Sequence, residues 1–306
     1  MKATFWGTRG SLASPGRQTV RYGGNTACVE VRDSSGGVII LDAGTGIRHL
    51  GATLGAEQSI HLFLSHLHLD HLQGLGFFAP LFRPDAEVHI WGPPSLRADL
   101  ATCLGRYLSP PLFPVRLKEV TARVSLHSAP TEPIMIGRIE VVAEPIIHPG
   151  PTVGYRLSEG DWAVAYLPDH EPALGARHFP EGPAWTSGYR LAEGVDLLIH
   201  DAQYTAAERA SRIGWGHSSL DEALAFAEFA SVRALAPFHH DPVHTDAALD
   251  SLFSSLTPRS VELIPAAEGL VVDVGRRRQP SSLPTDEDRS VAAPLTAGSL
   301  PAGRAA

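Results

Sequence analysis

Cysteine is scarce in this sequence: Cys28 and Cys103 are its only two cysteines in 306 residues. Two thiols cannot form the disulfide framework that holds many small secreted domains together, so that class of protein is excluded. Each cysteine has small or apolar neighbours along the chain. We therefore predict that both thiols are buried in the core.

Basic residues are outnumbered as well. The chain has 25 Lys and Arg against 33 Asp and Glu, which gives a formal net charge of -8 at pH 7. This balance opposes non-specific attraction to nucleic-acid phosphates and to anionic lipid. A nucleic-acid partner would therefore require a local basic patch.

Long apolar runs are also missing. The first residues reach Gly7 without the apolar segment of a signal peptide, and no stretch is long and apolar enough to cross a bilayer. We therefore expect a cytoplasmic protein with no membrane partner.

The sequence does contain many short apolar runs, separated by Gly and Pro, that alternate with helical patterns. The runs predict strands at residues 3–6, 28–31, 38–41, 60–64, 88–91, 139–143, 153–157, 162–167, 195–199, 233–238, 261–264 and 270–274. Helices are predicted at 95–108 with Ser95 as N-cap, at 219–232 with a Ser219/Glu222 capping box, and at 246–256. Residues 276–306 are rich in Pro, Ser, Ala and charge, which predicts a disordered tail after one domain of residues 1–275.

The most informative feature is the run His66-Leu67-His68-Leu69-Asp70-His71, which follows a predicted buried strand. Where a strand gives way to a loop, side chains at i and i+2 can point the same way, so His66 and His68 can bind one metal ion. Asp70 and His71 add an oxygen and a nitrogen ligand that suit zinc or a similar divalent ion. Four candidate ligands in six residues indicate a metal site rather than a polar turn with surface histidines.

This run resembles the signature of the metallo-β-lactamase superfamily, and the resemblance extends from the N-terminus to about Gly275. It implies an α/β fold, the four-layer αβ/βα sandwich, and a site for two divalent metal ions, zinc or manganese. By the same resemblance His148 completes the first metal site, Asp169 bridges both ions, and His239 is preferred over the adjacent His240. The implied metal ligands are His66, His68, Asp70, His71, His148, Asp169 and His239.

Other residues resemble supporting and catalytic groups of that superfamily. Asp42 matches an aspartate that accepts a proton from a ligand imidazole and so fixes its tautomer. Asp201 and His217 match the acidic residue and the histidine that form a proton relay in ribonuclease Z and in phosphoribosyl cyclic phosphodiesterase. Ribonuclease Z usually has glutamate and threonine where this chain has Asp201 and Gln203. We expect Asp70, Asp201 and His217 to be catalytic.

Two glycine-rich segments near the N-terminus resemble a bacterial subgroup of these phosphodiesterases. Arg9 and Asn25 lie in them, and we interpret both as residues that could hold a substrate phosphate, although glycine turns without a ligand fit equally well. Ribonuclease Z carries a long basic arm for transfer RNA, whereas residues 170–194 are few and hold only Arg177 and Arg190. We therefore expect no transfer-RNA partner.

The resemblance implies a phosphodiesterase that acts on a small or cyclic phosphodiester. Its nucleophile would be a hydroxide shared by two metal ions about 3.5 to 4 Å apart. His217, oriented by Asp201, would protonate the leaving oxygen. Two alternatives stay open: a metal-dependent thioesterase or lactonase, and a metal-dependent sensor without turnover. Homodimerisation is a further expectation from the same resemblance.

Overall fold

The computed structural model describes residues 1–55, 59–172, 174, 182–257 and 260–275. The strands are β1 (Lys2–Gly7), β2 (Cys28–Arg32), β3 (Val38–Leu41), β4 (Ser59–Phe63), β5 (Glu87–Gly92), β6 (Arg123–Ser128), β7 (Ile134–Ile136), β8 (Ile139–Pro145), β9 (Val153–Glu159), β10 (Trp162–Leu167), β11 (Leu197–Asp201), β12 (Ala234–Phe238), β13 (Glu262–Leu263) and β14 (Val271–Asp273). The α-helices are α1 (Ile47–Thr53), α2 (Leu100–Tyr107), α3 (Tyr189–Ala192), α4 (Ala206–Arg209), α5 (Leu220–Phe229) and α6 (Asp246–Ser255). None of these helices combines the length and the apolar character needed to cross a bilayer. The predicted disordered tail, residues 276–306, lies outside the described residues.

The strands form two seven-stranded mixed sheets, with the orders β14-β1-β2-β3-β4-β5-β6 and β13-β12-β11-β10-β9-β8-β7. Strands β3 to β6 are parallel in the first sheet, and β10 to β13 are parallel in the second. Leu41 of β3 pairs with Phe63 of β4, and Leu167 of β10 pairs with His200 of β11. The carboxyl ends of these parallel strands therefore lie side by side, and the loops that follow them meet at one edge of each sheet.

Three clusters of buried apolar side chains divide the molecule into four layers. Because successive side chains of a strand face opposite sides of its sheet, one set, including Phe63 and Tyr155, packs between the two sheets. The other two sets pack beneath helices, with Leu50 of α1 and Leu104 of α2 on the first sheet and Phe226 of α5 on the second. This is the four-layer αβ/βα sandwich, and the predicted fold class is confirmed.

The predicted helix at 95–108 starts too early. Helix α2 begins at Leu100, because the side chain of Asp99 accepts the backbone N–H of Thr102 at 2.7 Å and caps the helix there. Ser95 lies outside the helix. Ser95 is the predicted N-cap because serine suits that position, but aspartate suits it equally, and apolar periodicity does not report which of the two residues caps the helix.

Sequence analysis also missed strands β6 and β7. Both lie at an outer edge of a sheet, and every residue in them is half-buried or exposed. The alternation of buried apolar and exposed polar residues that signals a strand is therefore weak in both.

The prediction of two buried thiols is correct for one cysteine only. Cys28, in β2, is fully buried. Cys103 is half-buried, because it lies on the side of α2 that borders a surface cavity. The prediction for Cys103 is wrong because neighbours along the chain do not report which face of a helix a residue occupies.

Candidate metal centre

Four side chains converge beyond the ends of β4, β8 and β10. They are His66, His68, His148 and Asp169, and one ligand atom from each lies within 4.8 Å of the others. His148 Nε2 is 3.2 Å from His68 Nδ1, and Asp169 Oδ2 is 3.6 Å from His66 Nε2. We call these four residues the first cluster. The fold thus brings together candidate ligands from three separate parts of the chain.

A second cluster shares Asp169 with the first and consists of Asp70, His71, Asp169 and His239. Asp169 Oδ1 is 3.0 Å from His71 Nε2 and 3.2 Å from His239 Nε2. Asp70 Oδ2 is 3.1 Å from the same nitrogen of His239. Because Asp169 Oδ2 faces the first cluster and Oδ1 faces the second, one carboxylate connects the two. All seven predicted ligands lie in these two adjacent clusters.

The residues present fit two divalent cations. One of their atoms, His66 Nε2, is buried and has no hydrogen-bond partner among the described residues. Ligand atoms about 2.0 to 2.2 Å from a tetrahedral ion lie roughly 3.3 to 3.6 Å from one another. The histidine–carboxylate separations run from 3.0 Å for His71 to 3.7 Å for His148 and so extend slightly to either side of that range. Imidazole nitrogen and carboxylate oxygen are also ligands that zinc accepts.

The electrostatics of the clusters set the protonation states of the candidate ligands. Burial lowers the pKa of His66 well below its ordinary value, which keeps its imidazole neutral, as a metal ligand must be. Burial would raise the pKa of Asp169, but His239 and His71 hold it well below its usual range, so this residue is a carboxylate. Burial would lower the pKa of His71, but Asp169 and Asp70 raise it well above the ordinary value. Metal binding at the second cluster therefore releases a proton.

Asp42 lies behind the second cluster and holds His71 in place. Asp42 Oδ2 accepts hydrogen bonds from His71 Nδ1 at 2.7 Å, from Ser65 Oγ at 2.7 Å and from the hydroxyl of Tyr166 at 2.8 Å. A carboxylate can only accept, so the proton lies on Nδ1 of His71 and Nε2 faces the cluster. Asp42 therefore makes the contact expected from the sequence, a hydrogen bond from the imidazole of a candidate ligand. Nothing in the sequence pointed to Tyr166, because a buried strand tyrosine is usually a packing residue.

Backbone strain concentrates at the same place. Among the described non-glycine residues, four have a positive φ: Ser11, Asp42, Ser231 and His239. The left-handed conformation costs such residues about 1 to 3 kcal/mol and persists only where the surroundings enforce it. His239 and Asp42 belong to the site, and the backbone N–H of Ser11 donates to Asp70 Oδ2 at 2.7 Å. Three of the four strained residues therefore hold or orient cluster side chains.

A third cluster, Asp201, His217 and His239, adjoins the second. His217 Nδ1 donates to Asp201 Oδ2 at 2.6 Å and lies 3.9 Å from Asp169 Oδ2. Burial would lower the pKa of His217, but the Asp201 carboxylate outweighs it and raises the pKa to about 9. The other ring nitrogen, Nε2, has no hydrogen-bond partner in the described part of the chain. A protonated imidazole in this position can donate a proton to a group bound at the clusters.

The loop that precedes His217 is fixed by Glu171, a residue that sequence analysis did not find. The buried Glu171 carboxylate accepts from Arg209 Nη2 at 2.6 Å and from the backbone N–H of Gly216 at 2.8 Å. The Gly216 carbonyl in turn accepts from His148 Nδ1 at 2.9 Å, which directs Nε2 of His148 into the first cluster. A backbone carbonyl has no residue-type signature, so only the fold reveals this partner.

His239 and its neighbour His240 face opposite ways. His239 reaches the second cluster, and its Nδ1 donates to Gln203 Oε1 at 3.2 Å. His240 Nε2 instead donates to the carbonyl of Ala266 at 2.8 Å, and its ring packs edge-on against Tyr22. The structure therefore places His239, and not His240, among the candidate ligands.

The contacts of Arg9 and Asn25 correct the interpretation of these residues as phosphate contacts. Arg9 is fully buried, and its guanidinium donates to the carbonyls of Gly23 at 2.7 Å and His244 at 2.6 Å. Asn25 Nδ2 donates to the Glu268 carboxylate at 3.0 Å. Both side chains connect N-terminal loops to distant parts of the chain. Arg9 Nη2 has no hydrogen-bond partner among the described residues, but the whole residue is buried, so its guanidinium has no exposed surface that faces a substrate.

Two glycines lie against cluster histidines and allow a test of the geometry. A methyl group on Gly10 would collide with the ring of His239, and one on Gly216, whose φ is 86°, would collide with the ring of His148. We expect Gly10→Ala and Gly216→Ala each to lower the affinity for divalent metal by about tenfold or more. In α2, Gly105→Ala meets no atom within 4 Å and is the control. Metal analysis after equilibrium dialysis measures the effect, and variants that retain metal as Gly105→Ala does would contradict the cluster geometry.

Comparison with known proteins identifies relatives of this chain. Residues 38–240 match the family model described as a beta-lactamase superfamily domain. Ribonuclease BN of Cronobacter sakazakii is 25% identical over 283 residues, which covers 78% of this chain and 88% of that protein. The short form of human tRNase Z is similar in structure, with a TM-score of 0.63 and 21% identity. The match covers 90% of this chain and 100% of that protein. A diphosphatase from the PhnP family gives a TM-score of 0.65 at 21% identity, and the match covers 89% of this chain and 97% of that protein.

These matches overturn the prediction that excluded transfer RNA. That prediction used the shortness of residues 170–194, which contain no long basic arm. Relatives named ribonuclease BN and ribonuclease Z nevertheless align with more than three quarters of this chain, and a tRNase Z shares its fold. The missing arm therefore gives no ground for excluding an RNA substrate.

Proposed function

This chain belongs to the beta-lactamase superfamily, and on that premise we propose that it is a two-metal phosphodiesterase. The predicted superfamily is the one found. The observation that carries the proposal is the Asp201–His217 pair, which adjoins the two metal-ligand clusters at His239. This pair supplies a proton donor where the leaving group of a bound phosphodiester would need one.

In this proposal each cluster holds one divalent cation, and Asp169 is the ligand common to both. The ligands of the first cation are His66, His68, His148 and Asp169, and those of the second are Asp70, His71, His239 and Asp169. Two such cations, when bound, would lower the pKa of water towards about 7 and would neutralise the charge that develops on phosphate. The nitrogen and oxygen donors favour zinc, with manganese as the alternative.

The residues of the chain then have distinct tasks. Asp42 and the Gly216 carbonyl orient His71 and His148 through their Nδ1 atoms. His217 gives its proton to the leaving oxygen as the bond from phosphorus to that oxygen breaks, and Asp201 stabilises the imidazolium beforehand. An oxygen from water joins phosphorus, so the products are a phosphomonoester and an alcohol.

The scissile group is a phosphodiester, which RNA and small or cyclic phosphodiesters have in common. A substrate panel separates these classes. We would assay zinc-loaded and manganese-loaded protein against bis-p-nitrophenyl phosphate, cyclic nucleotides, a precursor transfer RNA, a lactone and a thioester. We expect hydrolysis of phosphodiesters that chelation abolishes and that added metal restores.

The same panel tests the alternatives. Hydrolysis confined to the lactone or thioester would replace the proposal with the carbonyl-hydrolase alternative. Full metal loading without turnover of any substrate would favour a metal-dependent sensor.

A further inference from the structure

A surface cavity of about 260 Å³ adjoins the first cluster. Two of the candidate metal ligands, His66 and His68, form part of its wall, and Pro149, which follows the ligand His148, forms another part. Another part of the lining comes from the segment that leads into α2 and from residues of that helix. A water molecule occupies about 30 Å³ in the liquid, so the cavity has room for a phosphate group and part of the sugar attached to it.

The charged side chains that line this cavity are both cationic. Arg97 lies before α2 and Arg106 lies within it, and both line the cavity. Neither arginine has an ion-pair partner among the described residues, and no aspartate or glutamate is among the residues that line the cavity. The carboxylate of Asp99 accepts the backbone N–H of Thr102 at the start of α2 and does not line the cavity. In a chain with a net charge of -8, this is a local site of positive charge beside the metal centre.

From this arrangement we infer that Arg97 and Arg106 bind a second phosphate of the substrate, next to the phosphodiester that is cleaved. The inference rests on the proposed function. Guanidinium groups bind phosphate oxygens through paired, charge-assisted hydrogen bonds. His66 and His68 belong both to the first cluster and to the cavity wall, so a group in the cavity would lie next to a phosphodiester bound at that cluster. The second phosphate is either the next internucleotide phosphate of an RNA or a phosphomonoester on a small cyclic phosphodiester.

Kinetics with matched substrates test this assignment. Arg97→Gln, Arg106→Gln and the double variant would be compared with Arg48→Gln, which removes an exposed arginine of α1 that does not line the cavity. The substrates are bis-p-nitrophenyl phosphate, a 2′,3′-cyclic nucleotide with and without a 5′-phosphate, and a short oligoribonucleotide. We expect the double variant to raise KM about tenfold for a substrate with a second phosphate. KM for bis-p-nitrophenyl phosphate stays unchanged.

The two substrate arms distinguish the sources of the phosphate. A raised KM only for the oligoribonucleotide assigns the cavity to RNA, and a raised KM only for the 5′-phosphorylated cyclic nucleotide assigns it to a small phosphodiester. Equal changes in KM for all substrates, or no change in KM for any of them, would overturn the inference.

Cys103 gives a readout that needs no turnover. It lines the cavity and is half-buried, whereas Cys28 is fully buried, so Cys103 is the thiol that reagents reach in the folded protein. Metal-free protein would be labelled with anionic dithionitrobenzoate and with neutral iodoacetamide. Because both reagents react with the same thiol, the ratio of the two rates isolates the attraction of the cavity for an anion.

We expect this ratio to fall severalfold in the double variant and to stay unchanged in Arg48→Gln. Adenosine monophosphate should slow the labelling of the wild type and not of the double variant. An unchanged ratio would overturn the inference even if the protein is a phosphodiesterase. A lowered ratio in a protein without phosphodiesterase activity would retain the anion site and reject the proposed function instead.

Discussion

Asp169→Ala is expected to lose metal from both clusters and to lose hydrolysis with it. One carboxylate faces both clusters, through Oδ2 to His66 and through Oδ1 to His71 and His239. Changing a residue that merely orients a ligand typically costs about 10- to 100-fold in metal affinity or activity. Removing the shared ligand should therefore lower kcat/KM by more than about 100-fold.

The measurement combines metal analysis with phosphodiesterase kinetics on the same preparations. Asp241→Asn is a suitable control, because Asp241 is also a buried aspartate whose side chain, among the described residues, accepts only the backbone N–H of Val243. Thermal unfolding of the metal-free proteins shows whether Asp169→Ala is folded. A folded Asp169→Ala protein that keeps two metal ions and full activity would refute the assignment of Asp169 as the shared ligand.

The His217→Ala variant is expected to keep its metal ions but to lose general acid catalysis. His217 donates to Asp201 at 2.6 Å, and general acid catalysis by such a group is worth about 10²- to 10⁴-fold in rate. The loss should be large for an alkoxide leaving group, as in a nucleotide. It should be small for p-nitrophenolate, which departs without a proton.

Asp201→Asn provides the companion variant, because it keeps the shape of the side chain but removes the charge that stabilises the imidazolium. Both variants would be assayed against bis-p-nitrophenyl phosphate and a cyclic nucleotide, with metal content measured in parallel. Equal loss on both substrates together with loss of metal would make His217 a structural or ligand residue instead of the proton donor.

The candidate ligands of residues 66–71 could be predicted from the sequence, because their close spacing along the chain is typical of a metal site. His66, His68, Asp70 and His71 lie within six residues at the end of a buried strand. A strand followed by a single turn of 3-10 helix suffices to direct two of them to each cluster.

The distant candidates, such as His148 and His239, carry no such spacing, since each is a single residue after a strand. Their place in the clusters depends on the fold, which brings the ends of four strands, β4, β8, β10 and β12, close together. Only the family resemblance indicated them before the fold was known.

Other features of the site could not have been predicted from residue types. Arg9 is a cation in a glycine-rich segment, which suits phosphate binding, yet it is fully buried and its Nε and Nη1 donate to backbone carbonyls of distant residues. The Gly216 carbonyl and the Tyr166 hydroxyl orient or support cluster residues without any sequence signal. In each case the deciding contact joins residues far apart in the chain.

The most direct test of the central claim is a titration of metal-free protein with zinc, in which bound metal per chain and hydrolysis of bis-p-nitrophenyl phosphate are measured together. The two clusters predict binding of two ions per chain, with hydrolysis reaching its maximum only when the second ion is bound. Two bound ions without hydrolysis, or full hydrolysis by chelated protein, would contradict the account.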